Sequence, residues 1–514
     1  MSEKTAWEAA IDVEPKTESE RYLTSLGQRA FLSLWCYANV HTDEGKTSAT
    51  GDGKELCDLL VVFGNHILIF SDKACEFPTH PDLKVAWGRW YKRAVDKSVG
   101  QLIGAEKFLR EHPDRLFLDK QCNVPFPYEL PKKKDAVVHL IAVTRGSYNA
   151  SLTHWGGGSS GSLMLDMGLE SRAQHLDTPF TVGWPVGRER FVHVLDEMTL
   201  DIMLREFDTV PDLVDYFSEK ERFLTSARYV SVSGEEELVA TYQMTIVEGK
   251  HALPTVPPEA NAIAMLEGVW KKFDSSAKRK ARDAANKQSY IWDHLIEYQS
   301  NFIRSGQAKS PFAEHITIDE NEIVVRALAS ETRFARRLLA EALEVALRNP
   351  VKADEDTTSQ FTRMMPSPSV PGRYYVFTVM PRAATLEYDE YRHRRVQFLM
   401  SYCEGLKLKF PDIVEAVGIA SEPFAAEASS QDFIYVSFEE PFSLQQLADI
   451  RARCDELNIL QDSTMSQTPF QTFEYPDVFS LNDIMSTRSP ANRAERRAER
   501  SAKRRRKGSK RGGR

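Results

Sequence analysis

Two apolar runs split by a two-residue turn constrain this chain more than any other feature. LLVVF (59–63) and HILIF (66–70) flank Gly64-Asn65. Short runs of this kind around such a pair read as the two strands of a β-hairpin. Asp58 opens the first run, and Ser71-Asp72-Lys73 closes the second. Side chains two apart in a strand share a face, so Ser71 and Lys73 lie together while Asp72 points the other way. The short connection lets Asp58 and Lys73 meet at one end of the hairpin. A carboxylate placed there suits Mg²⁺, which keeps most of its waters and takes phosphate oxygens from a substrate. A neighbouring lysine stabilises charge on a scissile phosphate or lowers the pKa of an attacking water.

The elements around the hairpin follow from periodicity. From Thr17, TESERYLTSLGQRAFLSLW has Leu23, Leu26, Ala30 and Leu34 at helical steps, with Thr17 or Ser19 as cap. AWGRWYKRAVDKSVGQLIGAEKFLRE carries a wide helical stripe after the hairpin, and AVVHLIAVTRG (136–146) reads as a buried strand. The order is helix, strand, strand, helix, strand. Further on, a long helical stretch is expected over about 261–303. ETRFARRLLAEALEVALRN (331–349) is a strong amphipathic helix stopped by Pro350. RYYVFTVMP and DFIYVSFEEP are strands flanking the helix YRHRRVQFLMSYCEGLKLK.

A chain of 514 residues exceeds one ordinary core. The expected division is a disordered N-terminus (1–16), an α/β domain with a helical extension (17–245), a helical connector (250–310), an α+β domain (315–475) and a basic disordered tail (486–514). No run approaches 18 uninterrupted apolar residues, so no membrane partner is expected. The acidic N-terminus has no apolar segment of the secretory kind. Six scattered cysteines without a CxxC pair read as free thiols of a cytoplasmic protein, with no zinc signature.

Helix, strand aspartate and strand lysine in this order resemble the PD-(D/E)XK superfamily of restriction-endonuclease-like folds, closest to its nuclease-related domain group. The resemblance covers residues 17–145. It implies a nuclease, of bacterial type, that hydrolyses phosphodiester bonds with Mg²⁺ or Mn²⁺, and it allows a homodimer. In that pattern Glu20 matches the helix acid, Asp58 the strand aspartate and Lys73 the lysine, while Gln101 takes the polar position on the following helix. The acid expected two before the lysine is replaced by Ser71, a weak Mg²⁺ ligand. Glu55, expected on irregular chain before the strand, is the candidate replacement. The implied metal ligands are Asp58, Glu55 and Glu20. The alternative is a catalytically degenerate nuclease fold that binds nucleic acid or a protein partner, and the C-terminal region has its own unidentified partner.

Plainer roles compete at each position. A turn-flanking aspartate satisfies loop backbone, a strand-end lysine is commonly solvated, and an acid in a first helical turn complements the helix dipole. WGGGSSGSL (155–163) lacks the ending of a P-loop and reads as a flexible loop. His66, His139 and His193 sit in apolar runs and read as hydrogen-bonded structural histidines. Neither HExxH nor HxH occurs. Asp196, Glu197, Asp201, Glu206 and Asp208 read as a solvated helical face.

Charge is distributed unevenly. From Arg488 to Arg514 there are thirteen Lys/Arg against two Glu, a net +11, which leaves −19 on the rest of a chain whose total is −8. Arg504, Arg505, Arg506 and Lys507 are the densest part of the tail and suit phosphate backbones by counterion release. The acidic body needs a local basic groove for the same purpose, and WYKRAVDK (90–97) and KRKAR (278–282) are the candidates.

Overall fold

The structure is a computed structural model. It describes residues 17–476 except 47–50, 128, 157–159, 308–317, 350, 352–358, 425, 427–429, 464 and 468–471. The expected N-terminal segment 1–16 and the basic tail, with Arg504, Arg505, Arg506 and Lys507, lie outside the described residues. The architecture is mixed α/β, as expected, and among the described residues no helix is long and apolar enough to cross a membrane.

Helix α1 (Glu18–Phe31) begins with a capping box at Thr17 and ends where Leu32 adopts φ 65°. Three antiparallel strands follow: β1 (Cys36–Thr42), β2 (Lys54–Phe63) and β3 (His66–Lys73). Helix α2 (Leu83–Tyr91), a π turn (Lys92–Asp96) and α3 (Lys97–Glu111) then cross to β4 (Leu116–Phe117) and β5 (Val137–Thr144). β5 pairs parallel with β3. α1 packs on β1, β2 and β3, and α3 on β2, β3 and β5. Residues Ile67 to Asp72 of β3 are therefore buried throughout, which explains a continuous apolar run rather than an alternating one.

Strand β1 is an addition to the expected order. Helical spacing was read as far as Leu34, but the left-handed Leu32 stops the helix three residues after Arg29. Asn39 at φ 51° then disturbs the two-residue alternation that identifies a strand.

A second sheet is built from β6 (Met164–Asp166), β7 (Thr181–Val182), β9 (Tyr229–Val232) and β12 (Ala262–Met265), in the order β12-β9-β6-β7. β8 (His193–Asp196) instead joins the first sheet, whose order is β4-β1-β2-β3-β5-β8. Helices α4 (Glu197–Glu206), α5 (Val210–Leu224) and α6 (Glu235–Met244) lie between these strands in sequence, and β10 (Ile246–Val247) and β11 (Lys250–His251) form a small hairpin.

The long helix expected over 261–303 is interrupted. β12 occupies its start, helices Val269–Ser275 and Ala277–Asn286 follow, and α7 (Tyr290–Arg304) completes it. Gly268 in the left-handed region and Ser276, which caps the next helix, supply the breaks. The amphipathic helix at 331–349 is present as α8 (Arg333–Leu347). A third sheet joins β13 (Phe361–Pro366), β14 (Arg373–Val379), β15 (Glu415–Ser421) and β16 (Gln431–Ser437) in that order. Helices α9 (Tyr388–Lys409) and α10 (Leu444–Glu456) pack together, and α9 covers β15 and β16.

One apolar cluster runs from Leu23 through Trp292 to Phe377 and Ile419, so the first sheet and the inner face of the third share a core. A second cluster around Leu399 and Ile450 lies between the third sheet and α9. Charged groups cross the shared core. Arg333 donates to Asp208 and Asp293 at 2.7 Å each, and Arg336 donates to Asp293 at 2.7 Å. Glu331, fully buried, accepts from Arg373 and from the Tyr375 hydroxyl. Removing one member of such a network leaves an uncompensated buried charge, at a cost of about 3–5 kcal/mol. Asp293→Ala is therefore expected to lower the unfolding free energy measured by urea titration by that amount, and a change below about 1 kcal/mol would show that Arg336 is already satisfied by the carbonyls of Ala329 and Glu331.

Candidate functional site

The ladder between β2 and β3 runs from Phe63–His66 to Leu59–Phe70 and then stops. At that parting Asp58 Oδ2 accepts the backbone N–H of Asp72 at 2.7 Å, so a side chain takes over from the ladder. Lys73 Nζ lies 3.7 Å from the same oxygen. Asp58 and Lys73 thus meet as the alternation argument requires. Asp58 is buried, and burial pushes its pKa up to about 6, opposed by Lys73 and by the Asp72 N–H and reinforced by Glu55 and Asp72.

Ser71 and Asp72 diverge. The Ser71 hydroxyl donates to Gln101 Oε1 on α3 at 3.1 Å, and the Ser98 hydroxyl of α3 donates to the Ser71 carbonyl at 3.0 Å. Gln101 therefore joins the set through Ser71. Asp72 points to the other face, where Arg145 binds its carboxylate through Nε and Nη2 at 2.8–3.1 Å. The Arg145 guanidinium lies over the Tyr22 ring of α1, and the Tyr22 hydroxyl donates to Asp201. The Asp72 carboxylate is fully enclosed and serves this bridge.

Two expectations are corrected. Glu55 is not on irregular chain: it pairs with His41 inside β2, because β1 extends the sheet past it. Val40 faces Cys57 but His41 faces Glu55, which makes Leu56 the extra residue of a bulge. An extra residue resets the alternation, so Glu55 comes into phase with Asp58 rather than opposite it. Glu20 does not join Asp58. Its carboxylate accepts the Thr17 N–H at 3.3 Å in the capping box of α1, on the Asp72 side of the sheet.

Asn39 carries no site signal in the sequence. The register that pairs Ala38 with Leu59 and Val40 with Cys57 sets it across from Asp58. It is buried, left-handed, and neither its amide oxygen nor its nitrogen has a partner. No spacing rule identifies such a residue, since an asparagine in a short apolar run signals a turn.

Basic residues flank this end of the sheet. Arg89, Lys92, Arg93 and Lys97 line an open cleft of about 720 Å³ with the Glu76–Thr79 segment. The π turn carries Lys92 and Arg93, and Lys97 adjoins the Ser98 that holds Ser71. WYKRAVDK thus supplies a basic surface. KRKAR differs from expectation: Arg279 and Arg282 turn inward and bind the buried Glu206. The acids read as a solvated face are also largely internal. Asp196 caps α4 and is buried, Glu206 binds those two arginines, and Asp208 binds Arg333 and Tyr290. Their partners lie as far as 125 residues away in sequence, beyond any periodicity argument. The described part of the WGGGSSGSL loop is pinned, with Ser160 and Ser162 donating to the buried Glu236.

His66, His139 and His193 are each hydrogen-bonded, as expected. His66 Nδ1 lies 3.4 Å from His139 Nε2, and His193 Nε2 lies 3.1 Å from Glu221 Oε1. His139 Nδ1 is 3.9 Å from that oxygen and has no hydrogen-bond partner, and neither does His193 Nδ1. Burial pushes the His139 pKa down to about 3 and that of His193 well below its ordinary value. Among the described residues His139, His193 and Glu221 are the group of three that converges as metal ligands do; no two other His, Cys, Asp or Glu side chains converge in this way with Asp58.

The raised pKa of Asp58 has a sign that can be measured. The folded chain holds this proton to a higher pH than the unfolded chain, so the group's contribution to stability falls as pH rises from about 4 to about 6. Asp58→Asn removes the buried charge and keeps an acceptor for the Asp72 N–H, while the partly exposed Lys73 turns to water. In chelator-containing buffer the variant is expected to be more stable than the parent at pH 8, by on the order of 1–3 kcal/mol, and to melt higher, with no advantage at pH 4. A lower melting temperature at pH 8 would mean that the Lys73 pairing outweighs the desolvation of Asp58. No protein-family model, no curated protein and no solved structure shows significant similarity to this chain.

Proposed function

We propose that the first sheet carries a phosphodiester-hydrolysing site of the PD-(D/E)XK kind, acting on nucleic acid. The observation that carries the reading is the Asp58–Lys73 pair, 3.7 Å apart where two central strands separate. The element order supports it: a helix, three antiparallel strands, a helical crossover, and a strand parallel to the third. Asp58 and Lys73 stand on the second and third of those strands, as the family pattern places them.

The donor set fits a hard divalent cation. Asp58 and the in-phase Glu55 offer carboxylate oxygens, and Mg²⁺ or Mn²⁺ is commonly held by one or two carboxylates plus waters and substrate phosphate. When bound, such an ion supplies Lewis-acid stabilisation of a phosphoryl oxygen and a more acidic water. The chain's own groups do the remainder. Lys73 sets a positive charge beside the scissile phosphate, where it stabilises the charge that develops. Gln101 holds the Ser71 hydroxyl. Arg89, Lys92 and Lys97 bind backbone phosphates leading to the site, without sequence preference.

One specific observation favours a second reading, a binder that has lost the chemistry. Ser71 stands at the position of the second acid, its hydroxyl is committed to Gln101, and among the described residues no trio of ligands converges on Asp58.

Cleavage of supercoiled plasmid and of single-stranded oligonucleotide with Mg²⁺ or Mn²⁺ separates the two. The nuclease reading expects metal-dependent cutting that falls at least about 100-fold in Asp58→Asn and in Lys73→Ala, a loss of the size seen when a charge-stabilising group is removed. Cutting by both variants at the parent rate removes the assignment. Salt-sensitive binding without cutting supports the degenerate fold. In either case Lys92→Ala with Lys97→Ala is expected to weaken binding evenly across sequences and to reduce the slope of log K against log salt by about 2. An unchanged slope would place the phosphate contacts elsewhere.

A further inference from the structure

We propose that His139, His193 and Glu221 form a second metal site, for one divalent transition-metal ion of the zinc class, that clamps α5 onto β5 and β8. The three ligand atoms come from three separate elements and lie within 4.8 Å of one another. A tetrahedral ion with metal–nitrogen bonds near 2.0–2.1 Å holds its ligand atoms about 3.3 Å apart. The observed separations from Glu221 Oε1, 3.1 Å to His193 Nε2 and 3.9 Å to His139 Nδ1, lie on either side of that value. Two imidazoles and one carboxylate suit zinc and its neighbours better than magnesium.

The unpartnered His139 Nδ1 is the independent sign of a ligand. The ring is 4% exposed, and this nitrogen meets no donor or acceptor within hydrogen-bond range. On its other side His139 Nε2 faces His66 Nδ1 at 3.4 Å. The tautomer that donates from Nε2 to His66 leaves the Nδ1 lone pair directed at the cluster, the arrangement by which a neighbouring group orients a metal-binding histidine. His193 is held by ring stacking on Phe217, with centroids 3.9 Å apart, and by the edge of Phe191. Neighbouring cations do not oppose an ion outright, because Arg190 is paired with Glu106 and Lys220 with Glu235. The Glu221 side chain is 40% exposed and provides the opening to solvent, where a water completes the coordination.

This site is distinct from the Asp58 end. His66 and Leu68 share a face of β3 that Ser71 and Lys73 do not, and His139 pairs with Leu68, well short of the Lys73–Thr144 end. Its ion links the first sheet to α5, whose Asp212 binds the start of α8. Occupancy therefore bears on how firmly the two halves of the shared core are joined.

The test uses the tag-free full chain, stripped with a chelator and titrated with Co²⁺, then with Zn²⁺ as competitor. The expected result is one tetrahedral Co²⁺ per chain, identified by its visible absorption and displaced by Zn²⁺, and a melting temperature that rises with Zn²⁺ concentration. Glu221→Gln and His139→Gln are each expected to weaken binding at least 10-fold and to abolish the thermal shift, with far-UV dichroism of the parent type. Should His139→Gln fail to fold, Glu221→Gln at its half-exposed position decides alone. Asp58→Asn is expected to keep the tetrahedral Co²⁺ absorption of the parent, which keeps this result separate from the nuclease reading. Parent-like binding by Glu221→Gln, or no Co²⁺ bound by the parent below 1 mM, overturns the proposal.

Discussion

Strand β3 is hydrogen-bonded on both edges and buried on both faces, and the rest of the molecule is arranged around it. Its pairing is antiparallel to β2 and parallel to β5. A parallel neighbour cannot be reached by a tight turn, so the chain must cross over the sheet, and α2 and α3 are that crossover. The ladder to β2 ends at Leu59–Phe70, and the next N–H of β3 with no strand partner there is satisfied by Asp58. The carboxylate is thus recruited into the fold at the point where the strands open. Lys73, on the final residue of β3, is brought to it by the same geometry.

The two faces of β3 have different uses. Toward α3, Asp58, Glu55, Ser71 and Lys73 gather beside a basic cleft. Toward α1 and α5, Asp72 is consumed by Arg145, and further along the sheet His139 and His193 lie against Glu221, with His66 beside His139. The Ser71–Gln101 bond gives the hydroxyl at position 71 a neutral partner on α3 and leaves that hydroxyl satisfied. An aspartate at 71 would place a second buried charge next to Asp58, whose own ionisation already opposes burial.

Internal ion pairs carry much of the remaining architecture. Glu206, Asp208, Asp293 and Glu331 are buried and each is met by arginine. Such networks contribute little net stability compared with apolar packing but penalise any arrangement that separates the partners. Here they join α4, α7, α8 and the third sheet across one continuous apolar core.

The sequence by itself determined the hairpin, its polarity and the meeting of Asp58 with Lys73, because a turn dipeptide and a two-residue period are local properties. It also determined α8 and the charge asymmetry of the tail. Tertiary structure alone decided the rest. β1 is invisible locally since a left-handed Asn39 breaks its period, and a bulge at Leu56 of the neighbouring β2 moves Glu55 into phase with Asp58. Glu20 fits the helix-acid pattern, yet the hydrogen bond to Thr17 claims it. The acids of 196–208 look solvated until arginines from distant segments meet them. His139, His193 and Glu221 have no motif spacing, because two parallel strands and a helix bring them together only after the sheet is complete.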